Sequence, residues 1–162
     1  MTGAEVPLRI GVIGAADAST EEEAVAREVG EAIGRAGAVL VCGGHGGVMA
    51  AAARGCREAG GWTVGILPGT EAADANPWIR LPLPTGMGEA RNALVVRAAE
   101  AVVAVGGRWG TLSEIALAAK MEIPVGLVGT PPAEGMDLRR FATAAQASSW
   151  ALGAARAKRG SP

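Results

Sequence analysis

The sequence is short of the residues that build metal centres, disulfide frameworks and stacking surfaces. Its 162 residues include one histidine, two cysteines, one phenylalanine and no tyrosine. A lone His45 cannot form a His-rich metal cluster. Cys42 and Cys56 are spaced neither as C-x-x-C nor as a zinc pair, so they read as buried structural thiols, and no metal site is expected. A net charge of −1 and a pI near 5.9 remove the general electrostatic case for binding DNA or RNA. No apolar run approaches the roughly 20 residues needed to span a bilayer, and the opening MTGAEVPLRI lacks the charged-then-apolar layout of a signal peptide. A cytoplasmic protein with a small-molecule partner, and no membrane or nucleic-acid partner, is the expectation.

What is present is small and apolar: 25 glycines, many alanines, 49% hydrophobic and 19% charged residues. That composition at this length suits one globular domain, expected over residues 1–153 with a frayed tail over 154–162. Short β-rich apolar runs alternate with longer amphipathic segments. This is the pattern of an α/β fold: a single-domain, Rossmann-like parallel sheet with helices on both faces. Strands are expected near Leu8–Gly14, Ala38–Cys42, Thr63–Leu67, Ile79–Leu83, Ala101–Val105 and Val125–Val128. Helices are expected from Thr20, as cap, to about Arg35, then over 47–58, 87–99, 111–121 and from Asp137 to about Ala147. Loops fill 68–78 and 129–135, where Pro and Gly break the periodicity.

In such sheets ligands bind beyond the carboxyl ends of the strands. Three glycine-bearing turns lie there: Gly14-Ala15-Ala16, Gly43-Gly44-His45-Gly46-Gly47, and Gly106-Gly107-Arg108-Trp109-Gly110-Thr111. The third runs on into Leu112-Ser113-Glu114 and has two readings. It is a helix start whose free N–H groups attract an anion, or a T-x-x-E capping box in which Glu114 folds back onto Thr111. The dinucleotide fingerprint G-x-G-x-x-G is absent from the first turn, which reads GAADAST, and neither of the later turns continues into the Lys-Ser/Thr of a Walker A loop. An ordinary NAD enzyme and a P-loop ATPase are disfavoured. Two turns able to offer backbone N–H groups to phosphate remain, with the Thr111 hydroxyl beside them.

The strings VCGGHGGVMAAAARGCREAGGWTVGILPG and TGMGEARNALVVRAAEAVVAVGGRWGTLSEIALAAKMEIPV resemble the LOG superfamily, often mislabelled "lysine decarboxylase". Gly43, Gly44, Gly47 and Met49 match its first motif. Gly107, Gly110, Thr111 and Glu114 match its second, and Arg91 falls at its arginine. Gly106, Arg108 and Asn92 replace the family's Pro, Gly and Lys. These departures, with the strings GILPG and TGMGEARN, make the chain similar to the branch that includes molybdenum cofactor carrier proteins.

The resemblance implies a phosphorylated ligand bound among Gly14, Gly43, Gly44, His45, Gly46, Gly47, Met49, Arg91, Asn92, Gly107, Arg108, Gly110, Thr111 and Glu114. Two functions follow from it. One is carriage of the molybdenum cofactor, a pterin phosphate held as cargo with no resident cofactor required. The other is hydrolysis of a nucleoside 5′-monophosphate to base and ribose 5-phosphate, with Glu114 and Arg91 catalytic. Arg108 either reaches an anionic group of the ligand or narrows the pocket, which leans toward the carrier. The resemblance also implies a homodimer or homotetramer, with contacts expected from the Ala-rich segments 93–99 and 115–119, and an interface role for Trp109.

Overall fold

The alternating apolar runs form one seven-stranded, all-parallel sheet flanked by five helices in the computed structural model, which describes residues 5–160. In chain order these are β1 (Arg9–Gly14), α1 (Thr20–Arg35), β2 (Val39–Cys42), α2 (Val48–Glu58), β3 (Trp62–Leu67), β4 (Leu81–Pro84), α3 (Asn92–Ala98), β5 (Ala101–Val105), α4 (Trp109–Lys120), β6 (Val125–Val128), β7 (Arg139–Phe141) and α5 (Ala144–Gly160). A 3-10 turn, Gly88–Arg91, leads directly into α3. The spatial order is β4-β3-β2-β1-β5-β6-β7. The winding direction reverses between β1 and β5, which pair from Ile10 with Ala101 to Gly14 with Val105, so their following turns open a crevice at the carboxyl edge.

Alternation along the buried strands builds two cores. Ile10, Val12, Leu40, Val103 and Val105 face α1, α2 and α5, whereas Ile13, Val41, Val102 and Ala104 face α3 and α4. The abundance of small residues is used between helices as much as against the sheet. A Cβ on Gly30 of α1 would lie 1.8 Å from the Ala52 carbonyl oxygen of α2, and one on Gly55 would lie 2.1 Å from that of Arg27. The two helices therefore pack backbone to backbone. Among the described residues, no helix is long and apolar enough to cross a membrane.

Four sequence expectations need correction. The cap of α1 is Ser19, not Thr20: its hydroxyl accepts from the Glu22 N–H while the Glu22 carboxylate accepts from the Ser19 N–H. The stretch around 137–143 is not helical but holds β7, an edge strand of three residues, two of them arginine, too short and too charged to show as an apolar run. The last helix therefore starts later, at Ala144, and runs on to Gly160. The expected loose tail, over 154–160, is the end of α5: Ala155 is fully buried, and Arg159 is anchored on Glu100 and on the backbone of Val6 and Pro7. Residues 1–4 of the expected domain and 161–162 of the expected tail lie outside the described residues.

Candidate functional site

A cleft of about 230 Å³ opens between the turns after β1 and β5. It is lined by Gly14, Ala15, Ala16 and Asp17 from the first turn, His45 and Met49 from the second turn and α2, Glu89, Arg91 and Asn92 from the entry to α3, and Arg108, Gly110, Thr111 and Glu114 from the start of α4. Nine of the residues expected from the sequence thus converge. Gly43, Gly44, Gly46, Gly47 and Gly107 do not line the cleft but shape its walls. Gly43 lies under Arg91, and a Cβ there would come within 2.7 Å of Nη1. Gly47 takes φ 59°, ψ −128° to turn the chain into α2. Ala15 and Ala16 belong to the first turn named in the sequence, although only its Gly14 is expected at the ligand; Asp17 and Glu89 were not anticipated. The signal available was adjacency alone, since they flank Gly14 and Arg91 in the chain.

The helix starts facing this cleft lack internal caps. Arg108, at the N-cap of α4, has extended backbone (φ −132°, ψ −155°) and makes no side-chain cap bond. Gly47, at the N-cap of α2, has no side chain to offer, although the Val48 N–H is taken up by the Ala15 carbonyl at 3.0 Å. The first turn of α4 is therefore the freer of the two for an anion. The Thr111–Glu114 capping box does not form. α4 begins three residues earlier than that pattern places it, with Arg108 rather than Thr111 at the N-cap, and the Glu114 carboxylate lies across the cleft wall, 4.0 Å from Arg91 Nη1.

Arg91 and Glu114 are both buried, each 6% exposed. Arg91 Nη1 donates to Asn92 Oδ1 at 2.6 Å, while its Nε has no hydrogen-bond partner among the described residues. Asn92 Nδ2 in turn donates to Ser113 Oγ at 3.1 Å, and the Ser113 hydroxyl donates to the Gly110 carbonyl at 2.7 Å. Burial pushes the Glu114 carboxyl up to about 7; Arg91 pulls it down and Glu89 adds to the rise. His45 is held below its usual value, first by burial and then by Arg91. It is neutral near pH 7 and can donate or accept one hydrogen bond.

The turn carrying His45 is clamped by a residue from the loop after β3. Asn76 Nδ2 donates to the carbonyls of His45 (2.7 Å) and Gly44 (3.2 Å), and the Asn76 N–H donates to Gly44 as well. Asn76 thus fixes the rim through backbone contacts. Cys42 lies below, fully buried; burial pushes its thiol up to about 12, so it is protonated and unreactive. Trp109 does not enter the cleft. It is 85% exposed and borders a neighbouring apolar groove with Ala93 and Leu117, which shares Glu89, Asn92 and Gly110 with the cleft.

An arrangement with a buried arginine, an uncapped helix start and a carboxyl near neutrality can bind a phosphate and hold or move a proton beside it. Solved structures of similar shape include the molybdenum cofactor binding protein from the phototrophic bacterium Rippkaea orientalis (29% identity, TM-score 0.86, covering 93% of this chain and 98% of that one). The molybdenum cofactor carrier protein from Chlamydomonas reinhardtii is similar at 34% identity and TM-score 0.83, over 92% of this chain and 98% of that one. An uncharacterized protein from Archaeoglobus fulgidus is 39% identical over 145 residues, 90% of this chain and 95% of its own. With the sequence pattern of the SLOG cluster4 family matched over residues 7–154, the chain belongs to that family.

Proposed function

We propose that the cleft binds a phosphorylated, nucleotide-like ligand and that the protein is a binding or carrier protein for the molybdenum cofactor. The observation that carries this reading is Arg91, a buried guanidinium beside the uncapped start of α4, with one nitrogen unpartnered and the cleft open next to it. Full-length similarity to two proteins described as binding or carrying that cofactor supports it. In this reading the ligand's phosphate lies at Arg91, Gly110 and Thr111, His45 adds a neutral donor, and Arg108 at the rim faces the remainder of the ligand. The cofactor is cargo, and binding needs no resident metal or coenzyme. A homodimer or homotetramer in the cytoplasm completes the proposal, with exposed Leu94 and Trp109 on the α3–α4 face as the contact.

One observation favours a second reading. Glu114 is turned into the cleft opposite Arg91 and titrates near neutrality, as a general acid or base must. A phosphoribohydrolase acting on a nucleoside 5′-monophosphate would use that pair. Incubation with AMP and an N6-modified AMP, with ribose 5-phosphate followed by mass spectrometry and Glu114→Gln as control, separates the two. The expected outcome is no release, together with saturable binding of molybdopterin or its molybdenum form. Release that disappears in Glu114→Gln would establish the hydrolase instead.

A further inference from the structure

Arg91 has two side-chain oxygens within reach and bonds the neutral one. Asn92 Oδ1 is 2.6 Å from Nη1, whereas Glu114 Oε1 is 4.0 Å from the same atom, beyond hydrogen-bond distance. Two opposite charges this deeply buried would ordinarily close into a bonded pair. The neighbouring hydrogen bonds explain why they do not. The Ser113 hydroxyl gives its proton to the Gly110 carbonyl, so Ser113 Oγ is left as an acceptor. Asn92 must therefore present its NH₂ to Ser113 and its carbonyl oxygen to Arg91. The amide is locked in one orientation from the first turn of α4.

We infer that Asn92 and Ser113 are positioning residues that hold the Arg91 guanidinium off Glu114, keeping its charge for an anionic ligand, an inference that rests on reading the cleft as an anion site. A guanidinium closed onto a carboxylate would meet a phosphate already neutralised. One held by an amide oxygen keeps its full charge, and Glu114 is left without a hydrogen bond among the described residues. The other groups around Glu114 do not take over this role. Glu89, from the same 3-10 turn as Arg91, repels it; Cys42 on β2 is an uncharged thiol; His45 is neutral; and Asp17 and Arg108 line the outer cleft without an ion pair among the described residues. Ser113 lies outside the sequence motif's matched positions, and its role follows from the hydrogen-bond chain.

The test follows the Glu114 carboxyl itself, in ligand-free protein labelled with δ-carbon-13 glutamate, by NMR titration with Glu114→Gln for assignment. In Asn92→Leu, Arg91 relaxes onto the carboxylate and the Glu114 midpoint falls by about one pH unit or more. Ser113→Ala, an exposed position where folding is not at risk, moves it the same way by less. Ser113→Thr, which keeps the hydroxyl, leaves the wild-type midpoint. In parallel, calorimetry with AMP is expected to show about ten-fold weaker binding to Asn92→Leu, with the pH dependence between 6 and 8 flattened. A purely structural defect would lower affinity without moving the midpoint. An unmoved midpoint in Ser113→Ala and in any folded Asn92→Leu overturns the inference, whatever AMP does. Moved midpoints in a protein whose wild type binds no AMP would leave the positioning role standing and sink the anion-site reading.

Discussion

Glu100 and Glu114 are similarly shielded from solvent, 7% and 6% exposed, at opposite ends of the sheet, and they are treated in opposite ways. Glu100, at the amino end of β5, accepts hydrogen bonds from the Arg9 N–H (2.8 Å), Arg159 Nε (2.5 Å) and Arg159 Nη2 (2.7 Å). Burial pushes its carboxyl up, but those bonds outweigh burial and hold it below the usual carboxylate range. Glu114, beyond the carboxyl end of the sheet, receives no hydrogen bond among the described residues, and burial prevails. Exclusion from solvent alone does not set the charge of a buried acid: Glu114 is the more thickly surrounded by protein and has no donor, whereas Glu100 lies under a thinner layer and accepts three hydrogen bonds. Where the sheet is closed by α5 the carboxylate is saturated and serves stability. Where the strand order reverses, donors and acids are left with capacity to spare, and a ligand can use it.

The sharpest way to break this contrast is at Arg91. Arg91→Leu removes the cation of the cleft floor, and AMP binding measured by calorimetry is expected to weaken by about 100-fold or more. Arg91→Lys keeps the charge but loses the planar fork, and should fall between that variant and wild type. Equal AMP affinity in Arg91→Leu and wild type would remove the floor from the site.

The second effect is on stability and concerns the pH dependence of the two acids. Glu114 is raised from the usual 4.5 to about 7, so the native state holds its proton where the unfolded chain has lost it. Its stabilising contribution is full below pH 4.5 and is lost as pH rises through 7. Glu114→Gln mimics the protonated form; it should match wild type near pH 3.5 and exceed it at pH 8 by roughly 3 kcal/mol in denaturant unfolding. Glu100 has the reverse sign: its contribution is present above 4.5 and lost as pH falls through its depressed native value. Glu100→Ala leaves Arg159 and the Arg9 N–H without their acceptor, and should lower the melting temperature by about 5 °C at pH 7 with AMP affinity unchanged. A melting curve of Glu100→Ala indistinguishable from wild type would mean that the clasp on α5 is idle.

Much of the architecture was legible because buried parallel strands are short, continuous apolar runs, as five of the seven are in the sequence; the exposed edge strand β4 was also found, though it starts two residues later than expected. β7 was hidden because Arg139-Arg140-Phe141 pairs on one side only, and an edge strand can carry charge. The end of α5 was hidden because its anchor, Glu100, is 59 residues away in sequence. The cleft was legible at positions where glycine or an odd charge marks the turn, such as Gly14, Arg91, Arg108 and Thr111. Asp17 and Glu89 carry no such mark, and only the reversal of strand order brings them to the same opening. The relay from Asn92 through Ser113 to Gly110 joins two helix starts that no sequence spacing relates.

The same limit explains why two identical patterns diverge, and the smallest predicted effect follows from them. Ser19-x-x-Glu22 and Thr111-x-x-Glu114 both have capping-box spacing; only the second is read as a box in the sequence, where Thr20 is taken as the α1 cap, yet only the first forms. At α1 the Glu22 carboxylate has no other hydrogen-bond partner among the described residues, and it folds back onto the Ser19 N–H. At α4 the helix has already begun at Trp109, which places Thr111 and Glu114 inside the first turns with Glu114 facing Arg91. Ser19→Ala should therefore cost about 1 kcal/mol of stability and leave AMP affinity unchanged. Thr111→Val keeps the side-chain shape and removes a hydroxyl that makes no hydrogen bond among the described residues; it should leave stability within about 0.5 kcal/mol and weaken AMP binding about five-fold. Chemical denaturation and calorimetry on the two variants read both quantities. If the losses are exchanged, with Thr111→Val unfolding more easily and Ser19→Ala binding less tightly, α4 is capped by its own box in solution and the uncapped helix start is not the phosphate site.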